Sequence, residues 1–176
     1  MFVVVYISFM GYAGDRVTAW LHPELDPGDT GYQILQSLYA IGSGGLFGLG
    51  YGKSRQKYLY LPFQYNDYIF AVICEELGLV GAMAIVALFA VTILRGYWIA
   101  LNARDRFSTV LVAGLVTLIA VQTILNLCVV TNLLPSTGIA LPFFSYGGTA
   151  LAVNLGEMGI VLGVSRGRNR RKIQEA

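Results

Sequence analysis

Charge is scarce in this chain. Charged residues fill 12% of its 176 positions, against roughly 25% in a soluble domain. With 56% hydrophobic residues and a mean hydropathy of +0.63, that scarcity excludes an ordinary soluble core and points to a polytopic membrane protein. The net charge of +2 supplies no basic field, and nucleic acid is not an expected partner. Cysteine is nearly absent. Cys74 and Cys128 lie in apolar stretches with no Cys or His at metal spacing, so neither a disulfide framework nor a zinc site is supported. Both read as small buried apolar residues. There is no internal repeat, and no low-complexity segment beyond a basic tail. Residues 1–12 lack the basic start of a signal peptide. Their apolar part falls short of the ~20 residues a span needs, so they read as the end of a truncated span, in a fragment or half of a larger membrane protein.

What is there is long apolar runs, and they predict an all-α membrane helix bundle. Spans are expected at 68–101, 109–134 and 139–164, with a weaker Gly-rich span at 31–50 that carries Gln33, Gln36, Ser37 and Ser43. Residues 51–67 form the loop before the second span, and 165–176 a basic tail. Four spans in alternation put nine cations on one side (Arg16, Arg95, Arg104, Arg106, Arg166, Arg168, Arg170, Arg171 and Lys172) and three on the other (Lys53, Arg55 and Lys57). By the positive-inside bias the nine face the cytoplasm, and so does the His22–Thr30 connector. The Asp67 loop then faces outside. Asp67 to Leu101 as one straight helix would measure about 52 Å, well beyond the ~30 Å hydrocarbon core. The first turns therefore stand outside the core, or the helix kinks, with Gly78 and Gly81 available for a bend.

Chemistry concentrates at one boundary. Lys53, Arg55 and Lys57 run against the topology bias, and either hold an anionic head group such as a lipid-linked pyrophosphate or belong to an ordinary solvated loop. Asp67 follows, among Phe63, Tyr65, Tyr68 and Phe70. It either caps the helix it opens or, with its pKa raised by apolar neighbours, serves as a general base. The two roles compete for the same oxygens. Glu75 and Glu76 lie about 12 Å further along a helix, as cavity carboxylates or structural hydrogen-bond partners. Gln122 and Asn126 share a face at i, i+4 and suit interhelical bonds or a polar cavity. The segment 134–149, with two prolines and three glycines, opens what should be a membrane helix. There Ser145, Gly147, Gly148 and Thr149 can face a polar head group, or serve a plain re-entrant packing element. Glu157 in the last span approaches the tail. No residue pattern settles metal use, and a divalent cation stays open.

Ordered stretches along nearly the whole chain carry a family resemblance. They include Gly31-Tyr-Gln33, Ala40-Ile-Gly-Ser-Gly-Gly-Leu-Phe-Gly48, Ser54-Arg-Gln-Lys57 and Asn66-Asp-Tyr-Ile-Phe-Ala71. Glu75-Glu-Leu-Gly78, Leu133-Leu-Pro135, Leu141-Pro-Phe143 and Ser145-Tyr-Gly-Gly148 continue the series. The chain resembles the C-terminal half of the SEDS proteins, the FtsW, RodA and SpoVE family, and the Ser-Arg-Gln-Lys segment is nearer to FtsW and SpoVE. The resemblance implies half of a fold of about ten spans. It implies a peptidoglycan glycosyltransferase that polymerises lipid II at the outer face of the bacterial inner membrane. It also implies a class B penicillin-binding protein as partner, other cell-wall machinery, and an undecaprenyl-linked glycan as product. Asp67 aligns with the family's essential aspartate.

Two departures stand out. Phe63 occupies a position where the family usually has Glu, and Asn66 one where it often has Thr. If that Glu binds a cation or tunes the aspartate, metal use differs here. A lipid-linked precursor transporter and a noncatalytic division or sporulation scaffold are the competing readings.

Overall fold

The computed structural model of the chain describes residues 14, 16–25, 30–54 and 67–174; the side chains of residues 30 and 168–174 fall outside this description. Residues 1–12, Arg55, Lys57, Phe63, Tyr65 and Asn66, all singled out above, lie outside the described residues. The described elements are all helical. Residues 16–21 form a short helix, followed by a 3-10 turn at Pro23–Leu25. Four longer helices are α1 (Thr30–Gly44), α2 (Ile69–Leu101), α3 (Arg106–Val130) and α4 (Gly148–Gln174).

Three helices are long and apolar enough to cross a membrane: α2, α3 and the Gly148–Gly167 part of α4. They run alternately between two ends. At the Arg104 end Ile99, Ala100, Val112, Val116 and Val161 form one apolar cluster. Gly96 meets the Val116 side chain there, so α2 and α3 approach closely. Asp105 starts α3 as its N-cap, accepting from the Ser108 amide at 2.9 Å, and these bonds lower its pKa. At the Asp67 end a second cluster joins Ala40, Tyr68, Phe70, Ala71, Cys74, Val130 and Leu141. Cys74 is buried there as a plain apolar residue, and Cys128 is half-buried.

The Gly-rich segment 31–50 corrects the four-span expectation. Its helix α1 has 15 residues, about 22 Å at 1.5 Å per residue, too short for a ~30 Å core. It descends beside α2 in the same direction. Ser37 bonds the Val130 carbonyl at 3.2 Å, and lower down Gly44 abuts the Cys74 carbonyl. The chain then turns at Gly45 (φ 54°), and the next residues enter a break in α2.

That break is at Gly78, whose φ of 67° and ψ of −169° are not helical. Of the two expected outcomes, outer first turns or a kink at Gly78 or Gly81, the helix shows a break at Gly78, and the loop fills it. The amides of Leu79 and Val80 turn from their own helix to the carbonyls of Gly45 (2.9 Å) and Leu46 (3.2 Å). In return Leu49 and Gly50 donate to the carbonyls of Glu75 (2.9 Å) and Glu76 (3.1 Å). Every backbone group freed by the kink thus finds a partner, as a low-dielectric surround requires.

Because segment 31–50 does not cross, the described residues 16–25 before it change ends. Arg16 was expected with the eight other cations, but its Nη1 donates to the Ser136 carbonyl at 2.8 Å, at the Asp67 end. One turn on, Trp20 Nε1 donates to the Asn132 carbonyl at 3.0 Å. The described start of the connector, residues 22–25, lies at this end too. A single miscounted span inverts the side of every residue upstream of it, which is the reason for the error.

Gly78→Ala should be among the most damaging small substitutions in the chain. The added Cβ would sit 2.3 Å from the Gly48 amide nitrogen, at a positive φ. The expected loss is about 3–5 kcal/mol. Gly42→Ala, in a helix with nothing within 4 Å of the new atom, should be neutral or stabilise by up to ~1 kcal/mol. Melting of the detergent-solubilised protein separates the two.

Candidate active site

Asp67 sits in the turn that leads into α2, but it does not cap that helix. The N-cap is Tyr68 (φ −105°, ψ 16°), with no side-chain capping bond. Its carbonyl receives the Ala71 amide at 3.0 Å. Among the described residues no hydrogen-bond donor reaches the Asp67 carboxylate, which is half-buried. Burial pushes its pKa above the usual carboxylate range, and the Arg16 charge draws it part of the way back. One carboxylate oxygen lies near Gly138, 3.7 Å from where a Cβ on that glycine would stand. The Tyr68 ring is buried behind it, with its hydroxyl near Ser136.

The backbone around the carboxylate is held by Asn126. Its amide nitrogen donates to the carbonyls of Asp67 and Ile139, both at 2.8 Å. Two facing acceptors leave no choice of amide orientation. Asn126 is 1% exposed and its amide oxygen has no partner among the described residues. One side chain thus ties the start of α2 to the segment between α3 and α4. The i, i+4 pair expected at Gln122 and Asn126 does share a face, but only Asn126 makes this bridge.

The segment 131–147 is shaped by its own caps. α3 ends in a Schellman arrangement: Leu133 N donates to Cys128 O at 2.8 Å and Asn132 N to Val129 O at 3.0 Å. Asn132 takes the left-handed position (φ 58°), which Asn tolerates better than most residues. Further on Phe143 also has positive φ (66°), a costlier conformation for a bulky residue. The Ser145 hydroxyl accepts the Leu141 amide at 2.7 Å and closes that turn. Between this segment, α3 and α4 lies a groove of about 360 Å³, lined by Gln122, Ile139, Phe143, Ser145, Thr149 and Asn154 among others.

The predicted residues therefore fall into three places. Gln122 and Ser145 line the groove; Gly147 starts the α4 turn by accepting Leu151 N at 2.8 Å, and Gly148 is the first residue of α4. Asp67 and Asn126 stand beside the groove, joined to it through Ile139. Lys53, Glu75 and Glu76 belong to the helix break. Lys53 is exposed, with its methylenes against Gly50, and Ser54 next to it donates from its hydroxyl to the buried Glu75 carboxylate. Glu76 is 7% exposed, and its Oε1 has no partner among the described residues. Glu157 is buried in the membrane half of α4. Among the described residues no three His, Cys, Asp or Glu side chains gather to hold a metal ion.

Sequence reasoning missed Arg16 and Asn154. Asn154 had a usable signal, a polar amide inside an apolar span. Arg16 had none once the span count placed it at the wrong end.

These features define a polytopic membrane protein with an ionisable carboxylate beside a groove between helices. The FtsW, RodA and SpoVE family profile, described as "Cell cycle protein", matches residues 1–170, and the chain belongs to that family. It is 50% identical over 155 residues to stage V sporulation protein E of Bacillus subtilis, covering 88% of this chain and 42% of that protein. It is 47% identical over 164 residues to "Probable peptidoglycan glycosyltransferase FtsW" of Geobacter sulfurreducens, covering 92% and 44%. A chain from a solved peptidoglycan synthase complex, in work on the structural coordination of polymerization and crosslinking, superimposes with a TM-score of 0.73 at 29% identity. That match covers 94% of this chain and 45% of the other. The chain thus spans less than half the length of these relatives.

Asn126→Ala would strip two buried carbonyls of their donor. The expected cost is about 2–4 kcal/mol, read as a lower melting temperature and faster proteolysis near the 131–147 segment.

Proposed function

We propose that the chain is the C-terminal half of a peptidoglycan glycosyltransferase that polymerises lipid II at the outer face of the bacterial inner membrane. The observation that carries this reading is the Asp67 carboxylate. It is half-buried, raised in pKa, and not engaged as a helix cap. A carboxylate spared from capping and tuned toward neutral pH suits a general base. The names of the FtsW relatives supply the reaction class.

Asp67 takes the proton of the acceptor sugar hydroxyl. The freed oxygen electron pair attacks the donor anomeric carbon as the bond from that carbon to the pyrophosphate oxygen breaks. Undecaprenyl pyrophosphate leaves with that electron pair, and a single displacement inverts the anomeric centre. Lys53, with Arg55 and Lys57 of the same loop, supplies positive charge for the leaving pyrophosphate. The groove lined by Gln122, Ser145 and Asn154 receives part of the lipid-linked substrate, its apolar walls facing apolar chain and its amides facing sugar. A class B penicillin-binding protein is the expected partner for crosslinking.

The Asp67 end faces outward in this reading, and the α4 tail faces the cytoplasm. With Arg16 moved across, the cation count becomes eight against four and keeps the same sign. In a background lacking Cys74 and Cys128, Thr18→Cys should be labelled by a membrane-impermeant thiol reagent added outside intact cells. Asn102→Cys should be protected. The reverse pattern would invert the topology.

Lipid II polymerisation by the full-length protein with its class B partner, transpeptidase inactivated, tests the base. Asp67→Asn should lower the rate by at least about 10²-fold, within the range of general acid–base contributions, with folding and complex formation unchanged. Equal polymer from both forms would remove Asp67 from the chemistry.

A further inference from the structure

We infer that Arg16 is a positioning residue for Asp67: a fixed positive charge, pinned to the Ser136 carbonyl on the segment the carboxylate approaches, that sets its charge. The inference rests on the general-base reading of Asp67. Three observations support it. Arg16 and Trp20 are one helical turn apart and share a face. Both donate to main-chain carbonyls of one segment, at Ser136 (2.8 Å) and Asn132 (3.0 Å), so the 16–21 helix is held at two points. Gly138, two residues beyond the Arg16 acceptor, is the residue the Asp67 carboxylate approaches. A guanidinium is a rigid planar fork, so the bond to Ser136 helps to fix its plane.

The electrostatic setting is simple. Around Asp67, α1 and α3 bring no charged side chain to this end; α3 brings the neutral Asn126. The 131–147 segment contains no acid or base apart from the exposed Tyr146. Tyr68, adjacent in sequence, is a phenol whose pKa burial raises, so it is neutral in the working range. Lys53 packs against Gly50 at the helix break. Arg16 is the described cation that acts on Asp67, and it opposes the effect of burial. Burial favours the protonated acid and Arg16 favours the carboxylate, so the balance of the two determines the pH at which a base is available.

The test is the pH dependence of lipid II polymerisation by the full-length protein with its partner, in wild type, Arg16→Gln and Arg16→Lys. A base must be ionised, so activity falls as pH falls through its pKa. Gln can still donate to Ser136 but carries no charge. Arg16→Gln should move the acid limb to higher pH, with a loss of about tenfold below both limbs for each unit of movement and recovery on the alkaline plateau. Arg16→Lys should keep the wild-type limb. A uniform loss at every pH in Arg16→Gln would make Arg16 a mere structural pin and overturn the inference. If Arg16→Gln fails to fold, the double variant with Asp67→Asn decides. Rescue of folding means the loss came from an uncompensated carboxylate, and no rescue overturns the inference. Asp67→Asn alone reports separately on the base: an active Asp67→Asn ends the general-base reading, whatever the folding comparison returns.

Discussion

Four backbone hydrogen bonds at the α2 break hold this architecture together. A helix kinked at Gly78 frees two amides and two carbonyls, and in an apolar surround each would cost several kcal/mol if unpaired. Residues 45–50 supply the missing partners, strand-like, from both directions. Such an exchange requires backbones in contact, and Gly44, Gly48 and Gly78 are where a Cβ would collide. The interlock sets the depth at which α1 stops and fixes the level of Glu75 and Glu76. From it the chain sets off again toward Asp67. The position of the candidate site is thus determined from two turns below it.

Above the interlock, order is imposed by side chains on the main chain. Asn126 binds the start of α2 to the segment after α3, and Ser37 binds α1 to the end of α3. The short 16–21 helix then closes over the same segment. Apolar packing around Tyr68 and Leu141 gives this end its cohesion, but that term has no direction. The hydrogen bonds supply the register. Asp67 has its carbonyl fixed, and among the described residues no donor reaches its carboxylate.

Much of this was legible in the sequence, for reasons that differ by element. The long apolar helices α2 and α3 follow from sustained hydropathy, which is additive and needs no tertiary knowledge, whereas the last, expected over 139–164, is helical only from Gly148. Length against bilayer thickness left a kink or outer first turns open, with Gly78 and Gly81 as candidates, and the backbone angles place the break at Gly78. The Gly-rich segment was misread because its composition, correctly identified as unsuited to a lipid-facing wall, was still counted as a crossing. Hydropathy cannot tell a helix that crosses from one that enters and returns, since the difference lies in backbone pairing with another element. The parity error carried Arg16 to the wrong end. Asp67 as cap or base was left open by residue type, and the φ/ψ of Tyr68 with the absence of a capping bond remove the cap.

The bonds that tie the elements of the site together share one property: their acceptors are peptide oxygens. Arg16 reads Ser136, Trp20 reads Asn132, and Asn126 reads Asp67 and Ile139, each at the carbonyl. Replacing the acceptor's side chain leaves such a bond intact wherever the backbone keeps its path. The scaffold is therefore written in the donors, and these bonds place no demand on the side chains of the residues that accept them. Such a segment can change the side chains it displays without reopening the joints beneath it, which separates change at the surface from preservation of the frame.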